Sequence, residues 1–451
     1  MLWLISGPSS VGKSVFLRSH RFEELTGLRP GVPVFMGPAL ASNRVDLPSG
    51  DYIVHYNMLR PVTVKTKTPS QPVHWRPVSQ FFRQVKTRTR QMRGKTEPAQ
   101  VSPTEQLGID FDADRAWNVI CQQDVEKKAI VLVAKRRTLL QRSANRQVIE
   151  STGLTRRKEK RYPFREWLDI FENTDLVQLY QTWCLTLEER GIPYILVDAN
   201  NDLYQVIEGK QTLSSPEYAL ESKYTKEQIT ELLSNKRFPY HRVNMPYGLH
   251  TRGRNRSSTR DLIFPQTLSG KSVLDVGCGL GYFCFEAENR GARRVVGVEL
   301  NEERLQQATL LKDINGSEVV LFKQDILITP IVDHFDYVLL LNIIHHLKEP
   351  IRAMKELASI TQECLIIEFP TLADPKFRRT VNKGPSVKND SLPLIGVSSI
   401  PAANQTFVFT PTAIERILMD HDHLFERIDF LPSPMDGRMI AICRKPGSGG
   451  P

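Results

Sequence analysis

The sequence predicts an α/β protein with two doubly wound parallel-sheet domains, one in each half of the chain. Two observations lead to this fold class. A short apolar strand runs directly into a glycine-rich turn and a helix start at residues 2–14, and the same pattern returns at residues 271–282. Further apolar strands then alternate with segments of helical periodicity, which is the pattern of parallel sheets covered by helices.

The first strand ends in a complete phosphate-binding motif. Leu2–Ser6 is followed by the pattern G-x-x-x-x-G-K-S, which places glycines at Gly7 and Gly12 before Lys13 and Ser14. In such a loop, backbone N–H groups surround phosphate oxygens, the lysine reaches the terminal phosphates and the serine ligates magnesium. We therefore predict that the loop binds ATP or GTP with Mg²⁺.

The next strands resemble those of P-loop nucleotide and small-metabolite kinases. They are expected at residues 51–57, 129–134 and 192–198. Two acids are candidates for organising the magnesium ion together with the loop serine. One is Asp51, at the start of the early strand, which we assign as the ligand. The other is Asp198, which ends the last strand, and the sequence leaves the choice between them open.

Two arginines follow the strand at residues 129–134. Arg142 and Arg146 are four residues apart, so they share one helix face. The resemblance implies that they are lid arginines, which act with Lys13 to stabilise charge on a transferred phosphoryl group. A solvated basic helix is an equally good interpretation of the same residues.

The kinase-like domain is expected to span residues 1–210, with a basic insertion at about 61–110. The insertion lacks sustained apolar periodicity and contains many turn-forming residues. Its aromatic residues lie between lysines and arginines, which suits contact with a nucleic-acid backbone and its bases. A solvated loop accounts for the same composition.

Residues 211–265 are expected to connect the two domains. A capping box at Thr225 predicts a short helix that ends near residue 235. The remainder is rich in aromatic, histidine and arginine residues just before the second glycine turn. We expect His241, Tyr247 and His250 to contact the acceptor substrate, although a packing role between the domains fits them nearly as well.

The second glycine turn differs from a dinucleotide-binding turn. Gly277, Gly279 and Gly281 allow a sharp turn and a close approach to a ligand. However, Tyr282 occupies the position at which the dinucleotide fingerprint requires a small residue. Asp275 would repel a pyrophosphate, but it suits a ligand that carries an ammonium and a sulfonium.

The residues Val273–Gly281 resemble the cofactor motif of class I S-adenosylmethionine-dependent methyltransferases, and the resemblance covers residues 266–446. It implies a Rossmann-like domain in which the aspartate and the three glycines of the motif bind S-adenosylmethionine. Glu299 ends the second strand, at the spacing where a carboxylate meets ribose hydroxyls. The resemblance also implies that Asp325 lies at the adenine edge and that Asn342 belongs to the cofactor site.

The remaining strands complete this second sheet. The fourth and fifth strands are expected at residues 335–342 and 364–369, with helices at 301–311 and 350–360 between the elements. In this family an antiparallel hairpin closes the sheet. Its two strands are here expected at residues 425–430 and 438–443.

Two histidines follow the fourth strand, at the edge where ligands of open parallel sheets bind. His345 and His346 are therefore catalytic candidates, because a histidine can take the proton of an acceptor hydroxyl near neutral pH. They are also candidates for shaping the pocket only. The fourth strand lacks both Asn-Pro-Pro-Tyr and Pro-Cys, so an oxygen acceptor is favoured over an adenine amine or a pyrimidine carbon.

The formal net charge of +10 is concentrated in two segments. Residues 60–96 contain ten lysines and arginines without an acid, and residues 135–165 contain eleven against two acids. This asymmetry indicates a polyanionic or phosphorylated partner. Because no apolar run reaches membrane-spanning length and the six cysteines show no metal spacing, we expect a cytoplasmic protein with reduced thiols.

These features predict a bifunctional enzyme that methylates an oxygen acceptor and phosphorylates the same or a related substrate. Residues 270–346 are also similar to the enzymes that transfer a carboxymethyl group to the wobble uridine of tRNA. The alternative is therefore an RNA-modifying methyltransferase whose P-loop domain binds or hydrolyses nucleotide to gate RNA access. A degenerate P-loop scaffold is a third possibility, which the intact Lys13–Ser14 pair disfavours. The oligomeric state is not predicted.

Overall fold

The computed structural model describes residues 1–28, 31–40, 48–59, 111, 114–151, 170–265, 267–375, 392–397 and 407–447. The predicted basic insertion at 61–110 and the end of the second basic segment lie outside these residues. Within the described part, two large sheets confirm the predicted mixed α/β class.

The first sheet has six strands, β1 to β6, in the order β2-β3-β1-β4-β5-β6. Strands β1 to β5 are parallel and β6 is antiparallel to β5. The strands are, in chain order, Leu2–Gly7, Val34–Met36, Tyr52–Asn57, Lys127–Val133, Tyr194–Asp198 and Val206–Ile207. The predicted strands at residues 51–57, 129–134 and 192–198 are thereby confirmed to within a few residues.

Helices cover this sheet, and several begin at a side chain that caps the first turn. Asp114 accepts hydrogen bonds from two backbone N–H groups, and Ser19 and Asp175 each accept one. Buried aromatic rings fill the space beneath, where Tyr56 stacks on Trp183 with ring centroids 5.0 Å apart. The helices are Lys13–Phe16, His20–Thr26, Gly37–Leu40, Arg115–Gln122, Arg136–Ser151 and Leu176–Glu189.

The predicted capping box in the connecting segment is confirmed. Thr225 accepts a hydrogen bond from the backbone of Gln228, and the Gln228 side chain accepts one in return from the backbone of Thr225. The helix Lys226–Asn235 begins there. A short helix, Ser257–Ile263, then leads into the second sheet.

The strands of the second sheet are β7 (Ser272–Val276), β8 (Arg294–Glu299), β9 (Val320–Lys323), β10 (Phe335–Leu341), β11 (Thr361–Pro370), β14 (Arg427–Pro432) and β15 (Arg438–Arg444). These seven strands lie in the order β14-β15-β11-β10-β7-β8-β9. Strands β7 to β11 are parallel, while β15 is antiparallel to both β11 and β14, so the predicted closing hairpin is confirmed. Two further short strands, β12 (Ile395–Val397) and β13 (Phe407–Phe409), pair separately.

Both faces of the second sheet are buried, as expected for a doubly wound sheet. The strand order reverses between β7 and β10, which marks the point where ligands of such sheets bind. The helices are Tyr282–Asn289, Glu302–Ile314, Pro350–Ser359 and Pro411–Glu415, the last continuing as a π-helical turn.

Ion pairs and hydrogen bonds join the two halves through the helix Arg136–Ser151. Arg136 pairs with Glu221 at 2.6 Å, and Glu221 also accepts a hydrogen bond from the backbone of Leu176. Arg137 reaches the second half, where it pairs with Glu318 at 2.7 Å. A cavity of about 720 Å³ lies between the halves, lined by residues of both. The predicted domain boundaries remain predictions.

No helix in the described part of the chain is long and apolar enough to cross a bilayer. All six cysteines lie in this part, and no disulfide bond links any two of them.

Candidate active site

The second glycine turn directly follows the buried strand β7. Gly277, Gly279 and Gly281 all adopt left-handed backbone conformations, with φ of 73°, 58° and 80°. A Cβ on Gly277 would lie 2.4 Å from the Ile343 side chain. By contrast, a Cβ on Gly279 would meet only His241, at 3.9 Å, so this glycine faces open space. The turn therefore needs glycine for its geometry and leaves room for a ligand.

This open space is a cavity of about 410 Å³ at the carboxyl ends of β7 and β10. It brings together many of the residues selected from the sequence. Those lining it are Asp275, Gly277, Gly279, Asn342, His345, His346 and His241. Gly281 instead forms the N-cap of the helix Tyr282–Asn289.

Asp275 is a buried carboxyl group at the end of β7. Burial is the main reason that the pKa of Asp275 is raised to about 7; the Glu299 carboxylate adds to the rise, while the Cys284 thiol, through its hydrogen bond, and the Arg256 guanidinium oppose it. That thiol donates a hydrogen bond to Asp275 at 3.6 Å. A cation in the cavity would stabilise the charged form, so the group suits the ammonium end of S-adenosylmethionine.

Glu299 and Asp325 end neighbouring strands but neither lines the cavity. The Glu299 carboxylate is buried and accepts hydrogen bonds from the backbone N–H groups of Gly279 and Asn301, both at 2.9 Å. It therefore fixes the glycine turn. Asp325 accepts a hydrogen bond from the backbone of Leu327 at 3.0 Å and shapes the turn after β9.

The two histidines lie on a short 3₁₀ turn, Ile344–His346, directly after β10. Their ring centroids are 4.0 Å apart with the planes tilted by 41°, and His345 is buried whereas His346 is exposed. Nε2 of His345 lies 3.5 Å from the guanidinium of Arg438. Asn342, just before the turn, has φ of 61° and hydrogen-bonds Glu368 and Arg438 through its amide.

Four arginines around the cavity were not predicted as site residues. They are Arg254, Arg256, Arg304 and Arg438. Arg256 is buried and paired with Glu368, which also accepts from Ser433. Arg254 and Arg256 belong to the arginine-rich stretch visible in the sequence. Arg304 and Arg438 lie about 50 and 180 residues further on, so only folding reveals them.

Of the three predicted acceptor-contacting residues, the structure brings only His241 to the cavity. Burial, with the neighbouring Arg256, Arg254 and Arg304, lowers the pKa of His241 to about 3, so the ring is neutral. Its buried Nδ1 has no hydrogen-bond partner, which suits a polar ligand. The other two lie outside this cavity, since Tyr247 donates to the backbone of Tyr224 and Nδ1 of His250 lies 3.2 Å from the carbonyl oxygen of Thr251, so their contact with the acceptor stays a prediction.

The N-terminal glycine loop also needs glycine for its backbone conformation and for its close packing against a neighbouring strand. Gly7 and Gly12 have φ of 150° and 99°, and a Cβ on Gly7 would lie 2.9 Å from the backbone of Leu132. Nζ of Lys13 donates to the carbonyl groups of Gly7 and Pro8 at 2.7 and 2.8 Å. Ser14 is exposed.

Arg142 reaches this loop from the helix Arg136–Ser151. Its guanidinium donates to the carbonyl group of Val11 at 2.9 Å, and the adjacent Ser143 hydroxyl donates to Ser10 at 2.8 Å. Arg146 lies on the same helix, but its side chain falls outside the described part of the structure.

The structure places Asp51, the residue assigned as a magnesium ligand, away from the N-terminal loop. Strand β3 runs parallel to β1 with Asn57 opposite Gly7, so Asp51 lies at the far edge of the sheet, about 20 Å away by strand geometry. It pairs there with the nitrogen of Met1 at 3.0 Å. Asn57 occupies the loop edge instead, with Oδ1 3.5 Å from Nζ of Lys13. In the described residues no cluster of acids, histidines and cysteines forms a ready metal site.

Residues 274–363 match a family described as a methyltransferase domain. The chain is 32% identical over 146 residues to the tRNA U34 carboxymethyltransferase of Shewanella oneidensis, covering 30% of this chain and 44% of that protein. It is 32% identical over 93 residues to the enzyme of the same name from Campylobacter hominis, covering 20% and 33%. The chain thus spans less than half the length of these curated relatives.

Solved structures with a similar arrangement include magnesium protoporphyrin IX methyltransferase from Synechocystis with bound SAH. That structure is 19% identical with a TM-score of 0.32, covering 42% of this chain and 81% of the other. The N-terminal domain of EvdMO1 with SAH and D-fucose is 16% identical with a TM-score of 0.37, covering 49% and 97%. The family match, with the observed strand order, identifies a class I S-adenosylmethionine-dependent methyltransferase domain in the C-terminal part of the chain.

Proposed function

We propose that the C-terminal part of this chain uses S-adenosylmethionine to modify an oxygen atom of a nucleotide in tRNA. The cavity is the observation that carries the proposal, because it joins the glycine turn to two histidines and four arginines. The names of the curated relatives support tRNA as the acceptor class. Arg254 is exposed at the cavity, and its guanidinium group suits an acceptor that carries phosphates.

The residues of the glycine turn fit the cofactor. Gly279 leaves space for it, the carboxyl group of Asp275 suits its ammonium, and the buried Nδ1 of His241 is available to a polar atom. When bound, S-adenosylmethionine supplies an electrophilic methyl group on a sulfonium. The protein then has to align the acceptor oxygen with that carbon and remove the oxygen's proton.

His346 is the better placed of the two histidines to take that proton. Nε2 of His345 faces the Arg438 guanidinium at 3.5 Å, so its lone pair already meets a donor. His346 is exposed and also lines the cavity. His345 then supports the ring of His346 through this tilted ring contact.

The acceptor class is tested with labelled cofactor and a pool of tRNA. The wild-type protein should transfer label to RNA, and nucleoside mass analysis would distinguish a methyl from a carboxymethyl product. His346→Ala should lower turnover about 10²- to 10⁴-fold while cofactor affinity stays unchanged, as expected for loss of a proton acceptor. Label that reached only protein or small molecules would contradict the proposal.

The cofactor site is tested with two matched glycine substitutions. Gly279→Arg would fill the cavity and should abolish S-adenosylmethionine binding in calorimetric titration. Gly270→Arg is the control, because Gly270 also has a positive φ and open space but lies outside the cavity. It carries the same backbone strain and should bind cofactor normally. Equal binding by both variants would refute the assignment.

We infer a second function, nucleotide binding by the N-terminal loop, either for phosphoryl transfer or to gate RNA access. Lys13 and Arg142 support it, because both cations already bind carbonyl groups of the loop and would meet a phosphate there. Ser14 is exposed at the helix start, where it would ligate a magnesium ion carried by ATP or GTP. Lys13 and Arg142 would then stabilise charge during phosphoryl transfer.

Calorimetry with magnesium ATP and magnesium GTP tests this second function. Lys13→Ala should lose nucleotide binding and any phosphoryl transfer but keep full cofactor affinity. Lys128→Ala is the control, since Lys128 lies on β4 of the same sheet and pairs with Glu126 away from the loop. Nucleotide binding that survived in Lys13→Ala would exclude this role.

A further inference from the structure

Tyr240 is an exposed aromatic residue at the cofactor cavity, and the chemistry above does not use it. The residue is 51% exposed and has φ of 102°. Left-handed backbone is rare for a bulky residue and persists only where neighbouring structure enforces it. Specific contacts must therefore hold this tyrosine in place.

Those contacts come from a short pairing between residues 240–242 and 254. The carbonyl group of Tyr240 accepts from the backbone of Arg254 at 2.9 Å, and Arg242 N–H donates to the carbonyl group of Arg254 at 2.9 Å. Gly253 makes this approach possible, because a Cβ there would lie 2.5 Å from the backbone of His241. The backbone beneath the ring is thus fixed from both sides.

The ring itself forms a partly covered platform. The guanidinium of Arg304, on the helix Glu302–Ile314, lies 4.4 Å from the ring centroid. The His241 ring meets it edge-on, with centroids 5.5 Å apart and planes at 76°. An arginine stacked on an aromatic ring holds it in one orientation. The rest of the side chain is left to solvent.

The segment around Tyr240 is cationic. Residues 236–254 contain five lysines and arginines and no acid. Among them Arg254 is exposed and lines the same cavity as Tyr240, and Arg252 and Arg237 are exposed close by in sequence. An exposed aromatic ring among arginines suits a single-stranded nucleic acid, because bases stack on the ring while phosphates pair with the cations.

We propose that Tyr240 is the stacking platform for a base of the acceptor RNA, with Arg304 holding the ring and Arg254 contacting a neighbouring phosphate. This inference rests on the proposed tRNA-modifying function and names the group that positions its acceptor. Tyr240 is a positioning residue, since it acts on the base beside the reacting atom.

The test compares Tyr240→Gly with Tyr240→Phe in the full chain. Glycine removes the ring but tolerates the left-handed backbone, so the variant should fold as well as the wild type. Its affinity for an oligouridylate should fall about 5- to 150-fold, the loss expected from one stacked base. Tyr240→Phe keeps the ring and should stay within about twofold of wild type. Cofactor affinity, by calorimetry, should be equal in all three proteins.

An abasic oligomer with the same number of phosphates separates stacking from charge. Tyr240→Gly and wild type should bind this oligomer equally, because no base is present to stack. The stacking role would be overturned if Tyr240→Gly bound oligouridylate as tightly as the wild type. It would also be overturned if Tyr240→Gly lost as much affinity for the abasic oligomer as for oligouridylate. A loss of cofactor affinity in Tyr240→Gly would overturn it too, by making the residue part of the cofactor site. If wild type bound cofactor but no RNA, the tRNA proposal itself would fail, and stacking with it.

Discussion

At the scale of single residues, the buried carboxyl group of Asp275 has the most direct consequence for the chemistry. Burial raises the pKa of Asp275 to about 7, so the group is largely protonated in slightly acidic solution. A cationic ligand pairs with the ionised form only. Cofactor binding and proton release are therefore linked at this position.

Cofactor affinity should consequently rise with pH towards 7. Between about pH 5.5 and 7.0 the affinity should increase by up to about tenfold per pH unit. Below its pKa, Asp275 has to lose a proton before it can pair with the cofactor, and the free-energy cost of this ionisation falls as the pH rises. Calorimetry in buffers of different ionisation enthalpy would detect the released proton. In Asp275→Asn the affinity should be weaker at pH 7 and flat over this range. A flat profile for the wild type would show that Asp275 does not meet the cation.

At the scale of elements, the ends of β10 and β11 are held by a buried polar network. Glu368 on β11 accepts hydrogen bonds from Arg256, Asn342 and Ser433, and both members of its ion pair are buried. The network links the start of the helix Ser257–Ile263 to the strands that carry the histidine turn. It therefore positions the cavity as well as stabilising the sheet.

Removing one partner of this pair should be costly. Glu368→Ala leaves the buried Arg256 without its carboxylate and should lower the free energy of unfolding by about 3–5 kcal/mol. Glu363→Ala is the matched control, since Glu363 lies on the same strand but pairs with Lys271 near the surface. Its loss should be about 0–1 kcal/mol. Urea unfolding measures both, and equal losses would contradict a buried, tightly paired Glu368.

At the scale of the whole molecule, one helix touches three regions of the described chain. The helix Arg136–Ser151 binds the N-terminal loop through Arg142, the connecting segment through Arg136 and the second half through Arg137. Phosphate contacts at the loop would compete for Arg142. A nucleotide bound as proposed would therefore contact the same helix that pairs with the second half.

The charge distribution of the whole chain predicts salt-sensitive RNA binding. The logarithm of the RNA affinity should fall linearly with the logarithm of salt concentration, with a slope of about −0.7 for each phosphate contacted on a single strand. S-adenosylmethionine affinity should change little over the same range, because its site is partly buried. Fluorescence anisotropy with labelled RNA measures the slope. RNA binding that did not respond to salt would argue against phosphate contacts by the basic segments.

The sequence was a good guide to local structure. Alternating strands and helices predicted both sheets, the closing hairpin and the capped helix at Thr225, because periodicity and capping depend on neighbouring residues. It also selected Asp275, Gly277 and Gly279, since a glycine turn after a strand has a recognisable pattern. The sequence did not show that Asp51 lies away from the N-terminal loop or that Tyr247 and His250 lie outside the cavity, because each depends on where a side chain lies in space.

By itself the sequence determined the α/β class, the two glycine turns and the methyltransferase resemblance, since all three depend on patterns of residues that are close together along the chain. Only the tertiary structure decided which distant residues share the cavity. Arg304 comes from a helix after β8 and Arg438 from the start of β15, and the sheet order brings both beside β7 and β10. Burial also decided the protonation of Asp275 and His241, because desolvation depends on the packing of the whole fold.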